Sequence, residues 1–106
     1  MSVFDQYTKQ IEEGMKEYKR TSSAILIDVR ETDEYSQGHI PESINIPLAI
    51  IEDSIEQRIE NKDIPLFLYC FSGARSEEAC LILRSKGYSH IKNIGGIQFY
   101  QGTVSI

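Results

Sequence analysis

Two hydrophobic periods alternate along the chain. Val3, Phe4, Tyr7, Ile11, Met15 and Tyr18 recur at three- and four-residue spacing with charged residues between them. That spacing predicts an amphipathic helix, stopped by the polar stretch 19–23. Residues 24–29, Ala-Ile-Leu-Ile-Asp-Val, are nearly continuous apolar and rich in β-branched side chains, the pattern of a strand buried on both faces. A short helix follows over 32–37, with Thr32 or Asp33 as its cap and Gly38 as its stop. Residues 43–46, between Pro41 and Pro47, read as a second strand. Ile51, Ile55 and Ile59 at four-residue spacing predict a helix over 48–60. Residues 65–69 form a third strand that ends at Cys70. A polar, glycine-containing loop then leads into a helix from about Ser76 to Lys86, halted by Gly87. Residues 90–94 make a fourth strand, and Gly95-Gly96 opens a last short helix.

Strands that alternate with helices, joined by crossovers of this length, pair in parallel. The fold class is α/β, with an open, mostly parallel sheet of four to five strands flanked by helices. Ligands of such sheets bind at the carboxyl ends of the strands, and Cys70 falls there.

Composition narrows the function. A chain of 106 residues makes one compact domain over 1–106, and 41% hydrophobic with 25% charged residues is ordinary for a globular protein. Eleven Lys and Arg against sixteen Asp and Glu give a net charge of −5. An acidic chain lacks the basic stripe that nucleic acid or an anionic membrane requires. The apolar runs are far short of a bilayer span, and the polar, acidic start is not that of a signal peptide, so the expected compartment is the cytoplasm. Two cysteines, Cys70 and Cys80, make neither a disulfide framework nor, without a CxxC or Cys/His cluster, a zinc site. In a reducing compartment both thiols are free.

The chemistry concentrates in Cys70-Phe71-Ser72-Gly73-Ala74-Arg75-Ser76. A tight loop can point its N–H groups inward as an anion-binding nest, and the following helix adds the positive end of its dipole. Gly73 permits the backbone angles such a loop needs, and Arg75 brings a permanent cation with planar donors. Each favours thiolate over thiol, which makes Cys70 a candidate nucleophile with a lowered pKa. Free cysteines are more often small buried hydrophobes, but a buried hydrophobe needs no C-x4-R cradle.

The chain resembles the rhodanese domain family. The resemblance is carried by Leu26-Ile27-Asp28-Val29-Arg30, Glu34-Tyr35, Gly38-His39-Ile40-Pro41, Asn45-Ile46-Pro47, the Cys70–Ser76 loop and Gly95-Gly96, in the family's order. It implies a sulfurtransferase in which Cys70 is the sulfur-carrying nucleophile and residues 71–75, with Ser76, cradle its persulfide. The partners would be a donor (a persulfide or thiosulfate) and an acceptor (a thiol, cyanide or a carrier protein), with no metal, nucleotide or flavin and no obligate oligomer. Phosphatases and arsenate reductases of the same fold use a longer C-x5-R loop, so they rank as a distant reading. A binding module with little turnover is the other alternative, though inactive members typically lack the cysteine. The chain departs from the family pattern at Phe71, where many thiosulfate-using members have a basic residue, and at Ile97, where tryptophan is usual. Together with Glu77 and Glu78, Phe71 favours a persulfide donor over dianionic thiosulfate.

The remaining candidates read as structural. Asp28 and Arg30 form an ion pair that fixes the turn after the first strand. The resemblance gives His39 a hydrogen-bonding role in a turn, and His90 is a solvated surface residue. Cys80 lies on the core-facing stripe of its helix beside Ala79 and Leu83, which makes it an inert thiol. Ser72 and Ser76 are hydroxyl donors to the cradle, and the acidic stretch Glu52, Asp53, Glu56, Glu60 is a solvated helix face.

Overall fold

The structure, a computed structural model, describes residues 3–106, with side chains from Asp5 onward. The expected packing of Val3 and Phe4 lies outside the described side chains. The elements run α1 (Val3–Arg20), β1 (Ile25–Asp28), α2 (Thr32–Gln37), β2 (Ile44–Asn45), α3 (Leu48–Arg58), β3 (Leu66–Cys70), α4 (Ala74–Ser85), β4 (Ile91–Gly96) and a 3-10 turn at Ile97–Phe99. Four strands in the order β2-β1-β3-β4, every pair parallel, form one open sheet.

The two-residue period of the strands sorts the core into two layers. Leu66, Leu68 and Cys70 of β3 join Ile27, Ile51, Ile55, Ala79, Cys80 and Leu83 under α3 and α4. Phe67 and Tyr69 point the other way and join Ile11, Met15, Leu26 and Ile94 under α1. Each fully buried Ile or Leu contributes about 1.5–3 kcal/mol, so β3, buried along its whole length, is the centre of the fold. The same parity puts the Cys70 side chain on the α4 side, beneath that helix's amino terminus.

Several boundaries differ from the sequence pattern. The cap of α2 is Glu31, not Thr32 or Asp33; the Glu34 carboxylate accepts the Glu31 N–H at 3.0 Å, as in a reciprocal capping box. β2 is reduced to two residues, and α3 ends at Arg58, before Ile59 turns extended. Gly95-Gly96 completes β4, past a register shift opposite Leu68/Tyr69, and Gly96 caps the 3-10 helix at Ile97–Phe99, the last short helix expected there. Most consequential, α4 starts at Ala74 with Gly73 as its cap at φ 105°, two residues before the expected start. Arg75 and Ser76 therefore belong to the first helical turn, not to the loop.

Close approach explains the glycine pair. A Cβ on Gly96 would lie 2.2 Å from the Phe71 carbonyl oxygen and 2.7 Å from Ser72 Cα. Gly95 takes φ 101°, and the Gln98 N–H donates to the Phe71 carbonyl at 3.2 Å. The end of β4 is thus pressed against the loop that follows Cys70.

Candidate active site

Cys70 is the last residue of β3 and is fully buried. Its Sγ accepts the Gly73 N–H at 3.0 Å, the Ser76 N–H at 3.4 Å and the Ser76 hydroxyl at 3.4 Å. Burial alone would push the thiol up; the bonds from Ser76, Gly73 and the Ser72 amide outweigh it, so its pKa is lowered. Because α4 begins at Ala74, the amide of Ser76 is a first-turn donor without an acceptor inside the helix, free to donate to Sγ, and loop and helix dipole act on the same sulfur. Cys80, equally buried but without such donors, is pushed up to about 12 by desolvation. The hydrogen bonds lower one thiol and burial raises the other.

Arg75 keeps its charge within electrostatic reach of Cys70, but its hydrogen bonds go elsewhere. Its guanidinium turns to α2, donating from Nη1 to Glu34 Oε1 at 2.7 Å and from Nη2 to Oε2 at 3.1 Å. That bidentate bond holds the Glu34 carboxyl at about 2, well below the usual carboxylate range. Arg75 therefore ties the cradle to α2, and no hydrogen bond from it reaches Sγ. The Ser72 hydroxyl accepts the Ala74 N–H at 3.4 Å, bracing the loop. Phe71, Ser72 and Ala74 form the exposed rim, with Phe71 49% exposed.

Asn93 is a residue the sequence reading missed. Its Oδ1 accepts the Ser76 hydroxyl at 2.8 Å and the Gly95 N–H at 2.9 Å, and its Nδ2 donates to the Gly73 carbonyl at 3.0 Å. One carboxamide from the β4 bulge thus fixes the loop, the helix start and the glycine pair. The Ser76 hydroxyl has a single hydrogen and three acceptors in reach: Asn93 Oδ1, the Gly73 carbonyl at 3.1 Å and Cys70 Sγ. Glu34 was also missed as a partner of the loop, although Glu34-Tyr35 stood among the motifs of the resemblance.

The structural assignments hold. Arg30 clamps Asp28, Nη2 to Oδ2 at 2.7 Å, in a buried pair, and donates from the same nitrogen to the Gly38 carbonyl. His39 bonds through Nδ1 to the Tyr35 carbonyl at 2.9 Å and stacks on the Tyr35 ring. His90 is exposed at the opposite end of the sheet, beside the start of β4.

Comparison with known proteins agrees with this geometry. The thiosulfate sulfurtransferase PspE of Escherichia coli (strain K12) is 38% identical over 72 residues, covering 68% of this chain and 69% of PspE. The thiosulfate sulfurtransferase GlpE of Pseudomonas savastanoi pv. phaseolicola is 29% identical over 96 residues, 90% of this chain and 89% of GlpE. A solved rhodanese from E. coli, described as containing anions, superposes with a TM-score of 0.72 at 33% identity, over 77% of this chain and 96% of its own. Among the described residues no helix is long and apolar enough to cross a membrane. The profile of the rhodanese-like domain matches residues 8–102, and with the Cys70 cradle at the sheet's carboxyl edge the chain belongs to the rhodanese-like domain family.

Proposed function

We propose that this rhodanese-type sulfurtransferase carries a sulfane sulfur on Cys70 as a persulfide. The observation that carries the reading is the set of three donors on Cys70 Sγ from Gly73 and Ser76. The Cys70 thiolate attacks the outer sulfur of a donor persulfide, R–S–SH. A new S–S bond forms, the old one breaks, and its electron pair leaves on the inner sulfur as R–S⁻, which takes up the proton. With thiosulfate the leaving group is sulfite. The charged enzyme, Cys70–S–S⁻, holds one more anionic sulfur, and amide donors at a helix amino terminus suit an anion there. A thiol acceptor, cyanide or a carrier protein then attacks the outer sulfur and regenerates the thiolate; cyanide leaves as thiocyanate. The reaction needs no metal or nucleotide.

A persulfide is the preferred donor. Phe71 replaces a basic side chain beside the nucleophile, and Arg75 is occupied by Glu34. Intact mass after incubation with a persulfide or with thiosulfate, on wild type and Cys70→Ser, tests both statements. The expected result is a gain of one sulfur on wild type alone, lost on adding cyanide and reached faster from the persulfide. Absence of the gain from every donor overturns the reading.

A further inference from the structure

The helix-terminal charges are sorted along the strand direction, although at the far end Glu56 and Glu17 pair with Lys62, Lys86 and Lys92. Every helix starts at the carboxyl end of the sheet and runs back, since α2, α3 and α4 each follow a strand and α1 ends where β1 is about to begin. The first turns carry Asp5 on α1, Asp33 and Glu34 on α2, and Glu77 on α4. Glu31 caps α2 and the exposed Glu78 follows Glu77. The last turns carry Lys19, Arg20, Arg58 and Arg84, and Lys62, Lys86 and Lys92 lie at that same far end. Favourable pairing with the helix dipoles accounts for the sorting, but its result is a mouth, at the Cys70 end of the sheet, with carboxylates on α1, α2 and α4 and none in the first turn of α3.

Cations at the mouth do not offset it. Arg75 is forked onto Glu34 and Arg30 is buried on Asp28, each cancelling its partner's charge, which leaves Lys9, in the second turn of α1, as the exposed cation there among the described residues. The arrangement is an inner set of N–H donors that suits a sulfur anion, inside an outer ring of carboxylates that repels a free dianion. Cys70 itself is fully buried, while Phe71 beside it is 49% exposed. The incoming sulfur must therefore stand at the tip of a stem, and the body carrying it meets an apolar side chain set in negative charge.

We propose that the Cys70 site exchanges sulfur with a cysteine thiol or persulfide borne on a positively charged, flexible segment of a partner protein. The proposal rests on Cys70 being the sulfur carrier. Transfer in either direction swaps one S–S bond for another with no net oxidation: Cys70–S⁻ and partner–S–SH give Cys70–S–S⁻ and partner–SH, and the reverse discharges the enzyme.

The test uses the full chain and two synthetic peptides, each with one cysteine persulfide, flanked by lysines in one and by glutamates in the other. Cys70 charging is followed by intact mass at low and at high salt, with free cysteine persulfide as a third donor. At low salt the lysine peptide is expected to charge Cys70 at least about tenfold faster than the glutamate peptide, the scale of electrostatic steering. The gap should shrink to about twofold near 1 M salt, where the screening length is about 3 Å. Replacing the exposed carboxylates in an Asp33→Asn/Glu78→Gln variant should narrow it as well, by slowing the lysine peptide while charging from free cysteine persulfide does not fall. Equal rates for the two peptides at low salt, or a faster glutamate peptide, overturn the proposal while leaving Cys70 as the carrier. Failure of all three donors to charge Cys70 overturns the carrier reading and the proposal with it.

Discussion

Both terminal nitrogens of Arg75 are held by the two carboxylate oxygens of Glu34, at 2.7 and 3.1 Å, so the first turn of α4 is fastened to the first turn of α2. The pair spans 41 positions of sequence and occupies the one cation of the segment Cys70–Ser76. A planar bidentate bond of this kind fixes geometry as well as charge.

Glu34→Gln should free part of that guanidinium and remove a negative charge from the mouth. Charging of Cys70 by thiosulfate is expected to rise several-fold, while charging by an uncharged persulfide changes little. Both side chains are about one-third exposed, so the pair contributes no more than about 1 kcal/mol, and the melting temperature should fall by a few degrees at most. Because Glu34 is held at about 2 when folded, that contribution is complete above the ordinary carboxylate range and fades as pH falls from about 4 towards 2. Unchanged thiosulfate charging in the variant would show that Arg75 only braces the loop.

The lowered pKa of Cys70 has a kinetic signature. Alkylation by a small reagent should follow a titration whose midpoint lies below the ordinary thiol value of about 8.5, with Cys80 unreacted across the range because its thiol sits at about 12. Ser76→Ala removes the largest of the hydrogen bonds that oppose desolvation, so the midpoint should move up. A bulky reagent should react more slowly than a small one at every pH, since Sγ is buried. Mass-resolved peptide mapping reads both cysteines in one experiment. Equal reactivity of Cys70 and Cys80 would contradict the cradle.

Much of this was legible in the sequence, for identifiable reasons. The continuous apolar runs of β1 and β3 and the four-residue spacing of Ile51, Ile55 and Ile59 report burial directly, and burial fixed the layers. The position of Cys70 at a strand end and the glycine three residues later located the cradle. What stayed hidden depends on partners distant in sequence. Nothing local to Arg75 tells whether its fork meets the sulfur or a carboxylate 41 positions away, and nothing local to Asn93 shows that a strand bulge turns it towards Ser76. Gly95-Gly96 reads as the start of a last short helix, and Gly96 does cap the 3-10 turn; that the pair also leaves room for the Phe71 carbonyl is a tertiary requirement with no local signal.

Gly96→Ala tests that requirement. The added carbon would sit 2.2 Å from the Phe71 carbonyl oxygen, a backbone atom that can yield only if the loop moves. Overpacking of this kind costs about 1–3 kcal/mol, and the displaced loop should lose most of its Cys70 charging. If thermal melting shows a folded variant with wild-type charging, the close approach of β4 to the loop is not needed for the chemistry.

The buried Asp28–Arg30 pair makes a prediction about stability alone. Arg30→Met leaves the Asp28 carboxylate buried without its partner, which costs about 3–5 kcal/mol. The double replacement Asp28→Asn/Arg30→Met should recover part of that loss, because an amide demands less of its surroundings than a charge. Denaturant melts of the three proteins give the comparison; equal stability of the single and double variants would mean that the loss comes from the Gly38 contact of Arg30 and not from the unpaired charge.

Asn93 carries the most specific prediction, because its two ends do different things. The oxygen accepts the Ser76 hydroxyl and the Gly95 N–H; the nitrogen donates to the Gly73 carbonyl and, at 3.3 Å, to Glu77. Asn93→Asp keeps the size and the accepting oxygen but sets a carboxylate against the Gly73 carbonyl and the Glu77 carboxylate. It also binds the single Ser76 hydrogen more strongly, withdrawing it from Cys70 Sγ, and adds a negative charge close to a forming thiolate. Both effects raise the Cys70 pKa, and one unit is worth about tenfold in thiolate when pH lies below the midpoint. The alkylation midpoint should therefore move up, with charging at neutral pH slowed to match and restored at higher pH. A purely structural role would lower the rate at every pH without moving the midpoint, so the pH profile, more than the loss of activity, decides whether Asn93 acts on the sulfur through Ser76.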